Sequence, residues 1–194
     1  MVDPVTNPVR ERLVEAATEL FYAQGLRAVS VDKVIERAGT TKVTFYRHFK
    51  SKDELVVEYL ERASAQEREG IGAAIAQGDG DVDAVLRLIS ETLGVMACRP
   101  GFRGCPFINA AAEYPDADSP VRRVVDAHRQ WCRTTYAELA TPLGLPDPAG
   151  AADDMMLLRD GAMVAGYLGQ ADAVAGSFLR SGRAVLGLGS LARR

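Results

Sequence analysis

The chain has 194 residues and a mass of 20.9 kDa, room for one ordinary domain or two small ones that share a core. An apolar fraction of 47% and a charged fraction of 25% exclude a disordered tail, a collagen-like fibre and a disulfide-stapled miniprotein. The net charge of −3 speaks on its face against a polyanionic partner, but the average hides a split. Residues 1–52 carry nine Lys/Arg and six Asp/Glu, a balance of +3, whereas residues 53–194 carry fourteen and twenty, a balance of −6. All four lysines lie between Lys33 and Lys52. A basic N-terminal quarter on an acidic remainder implies a local contact with a polyanion and a separate task for the rest.

No cationic segment followed by an apolar one opens the chain, so no secretory signal is expected. The longest uncharged run, residues 161–171, is eleven long, and a membrane span needs about 18–20. The three cysteines, Cys98, Cys105 and Cys132, form no CxxC pair, and there are only two histidines. These features imply a cytoplasmic protein with reduced thiols, no metal site and no cofactor.

Helical periodicity runs through nearly the whole chain, and no stretch alternates apolar and polar residues over strand length, so the fold class is all-α. Asn7 caps a first helix with Pro8 at its first position. Val9, Leu13, Ala16, Ala17, Leu20 and Phe21 form its inward stripe, and Gly25 ends it. Ser30 caps a second helix over 31–38, Gly39 stops it, and Thr40 caps a third over 41–49. Ser51-Lys52-Asp53-Glu54 is a capping box opening a long helix over 52–77. After the Gly78-Asp79-Gly80 loop, helices are expected over 82–97, near 105–113, from Ser119-Pro120 to about 139, over 150–170 and over 173–188. Pro142, Pro146 and Pro148 interrupt the chain before the last two. The resulting plan is a three-helix head over 1–52 and a helical body over 53–194.

A short helix, a Gly-containing turn and a second short helix make a helix-turn-helix, whose second helix enters the major groove. At 100° per residue, Phe45 and Phe49 point into the head's core, and Thr40, Val43, Thr44 and Arg47 take the opposite face. Arginine hydrogen-bonds guanine, threonine pairs with several base edges, and valine methyls pack on thymine. Tyr46, His48, Lys50 and Lys52 lie at the flank and far end, where phosphates are met. The helix starts at Ser30 and Ser51 present free N–H groups that favour an anion. Spacing of this kind also occurs at ordinary tight corners of helical proteins.

The residues themselves carry a resemblance. Residues 38–55, Ala-Gly-Thr-Thr-Lys-Val-Thr-Phe-Tyr-Arg-His-Phe-Lys-Ser-Lys-Asp-Glu-Leu, resemble the DNA-binding domain of the TetR family of one-component bacterial transcription regulators, whose pattern is roughly Ala-Gly-Val-Ser-Lys-Gly-Thr-Leu-Tyr-x-His-Phe-x-Ser-Lys-Glu-x-Leu. Ala16, Ala17, Leu20, Phe21, Gly25, Ser30, Val31 and Val34 match the same spacing upstream. The resemblance implies that Tyr46 and His48 contact phosphates with help from Lys52 and the Ser30 region. It implies that positions 40, 41, 43, 44 and 47 face bases, and Lys42 between them belongs to the same DNA-binding set. Val43 stands where the family commonly has Gly, and its side chain is positioned to read a thymine methyl.

The resemblance further implies a body that binds a small-molecule effector and forms a homodimer through the last two helices, releasing a near-palindromic double-stranded operator on effector binding. Small residues on those helices (Gly161, Ala162, Ala165, Gly166, Gly176, Ser177, Gly182 and Ala184 among them) suit close helix approach, either between subunits or within one. Met96, Phe102, Phe107, Asn109, Trp131, Tyr136 and Met163 are candidates to line the effector site. Cys105, flanked by Arg99 and Arg103 and placed at a helix start, offers a second reading as a redox or electrophile sensor; an activator using the same head is a third. An enzyme is not expected: there is no phosphate-binding loop, nucleophile elbow or metal cluster, and Asp153, Asp154, Arg159 and Asp160 lie on a helix of ordinary charge content. A head that binds a protein rather than DNA is disfavoured by Tyr46, His48 and Lys52, which suit phosphate.

Overall fold

The computed structural model describes residues 7–189. Among them are nine α-helices, α1 (Pro8–Gln24), α2 (Val31–Arg37), α3 (Lys42–His48), α4 (Lys52–Gly78), α5 (Val82–Ala97), α6 (Pro106–Glu113), α7 (Pro120–Ala140), α8 (Pro148–Tyr167) and α9 (Ala171–Val185), with a 3-10 turn at Thr141–Leu143 and no strand. The all-α expectation holds, and each expected helix is present with small shifts at its ends.

Those shifts have local causes. The Asn7 side chain accepts from the N–H groups of Val9 and Arg10 and starts α1 as expected. Thr41, not Thr40, caps α3, accepting from Thr44 N–H. Thr40 is already committed: its N–H reaches back to Ile35 C=O at 3.2 Å while Gly39, at φ +61°, donates to Glu36. This left-handed turn finishes α2 and moves the next cap one residue on. Ser51 accepts from Glu54 N–H as a capping box requires, but the Glu54 carboxylate takes the N–H of Lys50 rather than that of Ser51. α8 begins two residues earlier than expected because Asp147 caps it through Gly150 N–H and Pro148 occupies its first position.

Two compact units make up the chain: one contains the residues up to Ser64 together with Pro106–Val125, the other Ala65–Cys105 and the residues from Asp126 onward. The first buries Leu13, Val14, Ala17, Phe21, Val34, Phe45, Phe49, Leu55 and Tyr59, the stripe of α1 meeting those of α2, α3 and the start of α4. Paired ions cross it: Arg10 binds Glu58 in a bidentate pair, and Arg62 binds both Glu11 and Glu58. In the second unit α5, α8 and α9 pack against one another. A methyl group at Gly94 would stand 2.7 Å from Ala175 Cβ, one at Gly166 2.9 Å from Ala97 Cβ, and one at Gly182 3.0 Å from Leu86. Part of the small-residue stripe of α8 and α9 therefore serves packing within the subunit. Gly161, Gly176, Ser177 and Ala184 remain exposed.

Candidate functional site

α2 and α3 form the corner of a helix-turn-helix, and their caps hold it. Ser30 accepts from Lys33 N–H at 3.2 Å, and Thr41 accepts from Thr44 N–H at 3.2 Å while the two threonine hydroxyls meet at 2.9 Å. Phe45 and Phe49 are buried, with ring centroids 5.9 Å apart. The face opposite them carries Val43, 72% exposed, with Thr41, Lys42, Tyr46 and Arg47 also exposed. Tyr46 is held edge-on against Phe45 at 5.2 Å, with half of its surface open. Thr40, Thr44 and His48 are half-buried, and Lys42 reaches Asp32 of α2 at 3.2 Å. Lys52 is turned toward the loop before α2, its Nζ 3.4 Å from Arg27 C=O, and partial burial lowers its pKa.

One contact that sequence spacing could not reveal fixes the same loop. Glu113, the last residue of α6, accepts from the backbone N–H of Leu26 at 3.0 Å and of Arg27 at 2.6 Å. The next residue, Tyr114, donates to Asp53 at 2.8 Å and lies beneath the Arg27 guanidinium. Burial, reinforced by the bond to Asp53, pushes the Tyr114 phenol above its ordinary range. The end of α6 is thereby tied to the loop that leads into α2 and to the first turn of α4.

The second unit holds a polar cluster in its interior. Arg159, 2% exposed, binds both carboxylate oxygens of Glu67, with contacts of 2.7, 2.9 and 3.1 Å. It is not one of a set of ordinary surface charges on α8, as its sequence neighbours suggested. The buried His128 places Nε2 at 3.3 Å from Glu67 and 3.5 Å from the Cys132 sulfur. Arg159 Nη1 also reaches the Cys105 sulfur at 3.6 Å. Burial opposes ionisation of Glu67 and is the largest single influence on it. The hydrogen bond to His128 and the charges of Arg159 and His128 together outweigh burial and hold the carboxyl at about 2. Burial likewise opposes the charge on Arg159, and Glu67 more than offsets it. Burial pushes the Cys132 thiol up to about 12.

A pH dependence follows. Glu67 has a depressed folded-state pKa, so its contribution is present above pH ~4.5 and is lost as pH falls toward ~2. The difference is on the order of 3 kcal/mol. Acid unfolding of Glu67→Gln should therefore be less steep between those pH values than that of the parent, as read by circular dichroism.

Of the candidate effector-site residues, Tyr136 is buried at 3% exposure, and burial pushes its phenol above its ordinary range. Trp131 is half-buried, with the Arg68 guanidinium 4.5 Å from its ring centre. Met163 is buried, and Met96 and Phe102 are half-buried in the same unit. Phe107, buried, and Asn109, half-buried, belong to α6 in the first unit. Cys105 is almost wholly buried and its arginine neighbour is Arg159, whereas the exposed cysteine is Cys98, 3.8 Å from Asp172.

A family model described as bacterial regulatory proteins, tetR family, matches residues 13–59. The chain is similar to the crystal structure of SCO4454, a TetR-family transcriptional regulator from Streptomyces coelicolor, with 40% identity over 93% of this chain and 95% of that one and a TM-score of 0.88. It is 25% identical to the HTH-type transcriptional regulator LmrA of Bacillus subtilis, over 66% of this chain and 69% of LmrA. It is also 25% identical to the HTH-type transcriptional repressor NemR of Escherichia coli, over 62% of this chain and 61% of NemR. No described helix is long and apolar enough to cross a membrane.

Proposed function

The chain belongs to the TetR family of bacterial transcription regulators, and on that premise we propose that it is a homodimeric repressor released from its operator by a small-molecule effector. As a family member it is a DNA-binding regulator and not an enzyme. The observation that carries the reading is the exposed face of α3, on which Thr41, Val43, Tyr46 and Arg47 stand clear of a helix anchored by Phe45 and Phe49. Arg47, Thr41, Val43 and Thr44 read base edges, with Thr40 beside them. Tyr46, His48, Lys42, Lys52 and the Ser30 helix start meet phosphates and set the register. The activity belongs to the cytoplasm, where the operator is.

Binding of purified protein to DNA upstream of its own gene or of a divergent neighbour, followed by fluorescence anisotropy, tests this. Sequence-dependent binding that Tyr46→Ala weakens by tenfold or more supports it. Binding without sequence dependence at low salt overturns it. Transcription from the same promoter in the presence and absence of the protein separates a repressor from an activator.

The dimer is supported by an exposed apolar stripe along α8 and its C-cap: Leu157 and the capping Leu168 are each 71% exposed and Val164 46%. These residues are seven and four apart, one side of a helix. Beside them α9 exposes Ala173, Gly176, Ser177 and Ala184, small enough for a second helix to approach closely. A two-fold dimer so formed presents two heads to half-sites about 34–36 Å apart. The pair Leu157→Glu and Val164→Glu should convert the protein to a monomer in sedimentation equilibrium and abolish operator binding while leaving helicity unchanged.

The contact between Arg159 and the Cys105 sulfur favours one second reading, in which the Cys105 thiol is itself the sensing group. Operator release by a thiol reagent that persists in Cys105→Ser excludes it.

A further inference from the structure

Three side chains in the second unit combine in a way that DNA regulation does not explain. Glu67 lies on α4, and His128 and Cys132 lie four residues apart on α7, the spacing that puts two side chains on one helix face. His128 Nε2 stands 3.3 Å from Glu67 Oε2 and 3.5 Å from Cys132 Sγ, and the three donor atoms all fall within 4.8 Å of one another. Ligands about 2.0–2.1 Å (N, O) and about 2.3 Å (S) from one tetrahedral ion stand about 3.3 Å (N to O) and about 3.5 Å (N to S) apart. The two separations from His128 Nε2 match those edges, and the Glu67 oxygen and Cys132 sulfur, within 4.8 Å of each other, close the third on binding.

We propose that Glu67, His128 and Cys132 form a three-ligand site for a divalent cation of the zinc class, with a fourth position left to water or an exogenous donor. The donor set selects the ion. One imidazole nitrogen, one sulfur and one carboxylate oxygen suit a borderline-soft cation such as Zn2+ and are a poor match for Mg2+ or Ca2+, which take oxygen ligands. His128 and Cys132 are buried, at 1% and 2% exposure, and Glu67, 24% exposed, leaves a path from solvent to the fourth position. Arg159 completes it as an outer partner. Its guanidinium takes both Glu67 oxygens, and Oε2, which faces His128, carries only one of those contacts. A carboxylate has about four acceptor positions, so capacity for a cation remains. Outer hydrogen bonds of this kind orient a ligand and tune its affinity.

Charge sets the strength. A carboxylate and a thiolate balance the two charges of the ion, and the Cys132 thiol proton leaves to solvent as the metal–sulfur bond forms. The Arg159 cation adjoining the site weakens binding, so a reversible site is expected rather than a permanently loaded structural one. The proposal does not depend on the DNA-binding reading.

The full-length protein, stripped with a chelator and titrated with Co2+, tests it. The expected result is the visible spectrum of tetrahedral Co2+ together with a sulfur-to-cobalt charge-transfer band in the ultraviolet, both abolished by Zn2+. Cys132→Ser should remove the charge-transfer band, and His128→Gln should weaken binding by tenfold or more. Cys98→Ser, at the exposed cysteine, should leave both unchanged. Arg159→Lys should weaken affinity by about 10–100-fold. X-ray absorption on the unmodified Co2+-loaded protein, which needs no variant to fold, should show one sulfur in the first shell. A first shell of nitrogen and oxygen alone, or a charge-transfer band that survives Cys132→Ser, overturns the proposal. Absence of any Co2+ spectrum also overturns it, leaving the cluster a hydrogen-bonded ion pair only.

Discussion

Replacing Arg159 with methionine is expected to lower stability by about 3–5 kcal/mol, a fall in the thermal midpoint on the order of 10 °C for a chain of this length. The size of the effect comes from what is left behind. Arg159 is 2% exposed and the side chain of Glu67 is 24% exposed, so the mutation strands a carboxylate in a site where burial alone opposes its charge. His128 then provides its nearest described hydrogen bond. The reverse comparison is equally informative. Converting both partners together, Arg159→Met with Glu67→Leu, removes the buried charge altogether and should recover most of the loss. Differential scanning calorimetry on the parent, the single variant and the double variant gives the coupling directly. An unchanged midpoint in Arg159→Met would show that the pair contributes nothing to folding.

The second large effect concerns DNA. Arg47→Ala should weaken operator binding by about 1–3 kcal/mol for each recognition helix. A two-fold complex carries two copies, so the total is about 2–6 kcal/mol, at least about thirtyfold in affinity. Because Arg47 is assigned to a base edge, discrimination should relax at one symmetry-related pair of operator positions, read by selection from a random DNA pool. Tyr46→Ala removes a phosphate contact and should weaken all sequences alike. An Arg47→Ala protein with unchanged base preference at every position would remove Arg47 from the reading face. The anchoring makes the test clean. Arg47 is exposed and has no packing role, whereas Phe45 two residues before it is wholly buried.

The contrast between the two cases shows what sequence reasoning can reach. The exposed face of α3 was legible because every signal for it is local. Ser30, Gly39, Ser51 and the Phe45/Phe49 pair act within a few residues, and a helix of known period converts spacing into direction. Even there a local competition escaped it: Thr40 N–H is drawn back to Ile35, so Thr41 becomes the cap. The interior cluster was not legible. Arg159 and Glu67 are 92 residues apart, and Glu113 reaches Leu26 across 87. No periodicity links such positions. Asp153, Asp154, Arg159 and Asp160 look alike in the chain, and only the direction in which each α8 side chain points separates the buried arginine from exposed Asp153 and Asp154 and from half-buried Asp160, which pairs with Arg129. The spacing of His128 and Cys132 on one helix face was the available signal, and it has no meaning until Glu67 is brought beside it.

By itself, then, the sequence determined an all-helical chain, the bounds of its short α2 and α3 to within a residue, and which side chains of α3 face away from Phe45 and Phe49, because helix periodicity and capping are properties of neighbouring residues. Only the tertiary structure decided which charges are buried, that α6 ends on the loop before α2, and that a carboxylate, an imidazole and a thiol share one site. Those outcomes depend on packing between segments distant in the chain. Burial in that packing makes a charge costly unless a partner from another helix meets it.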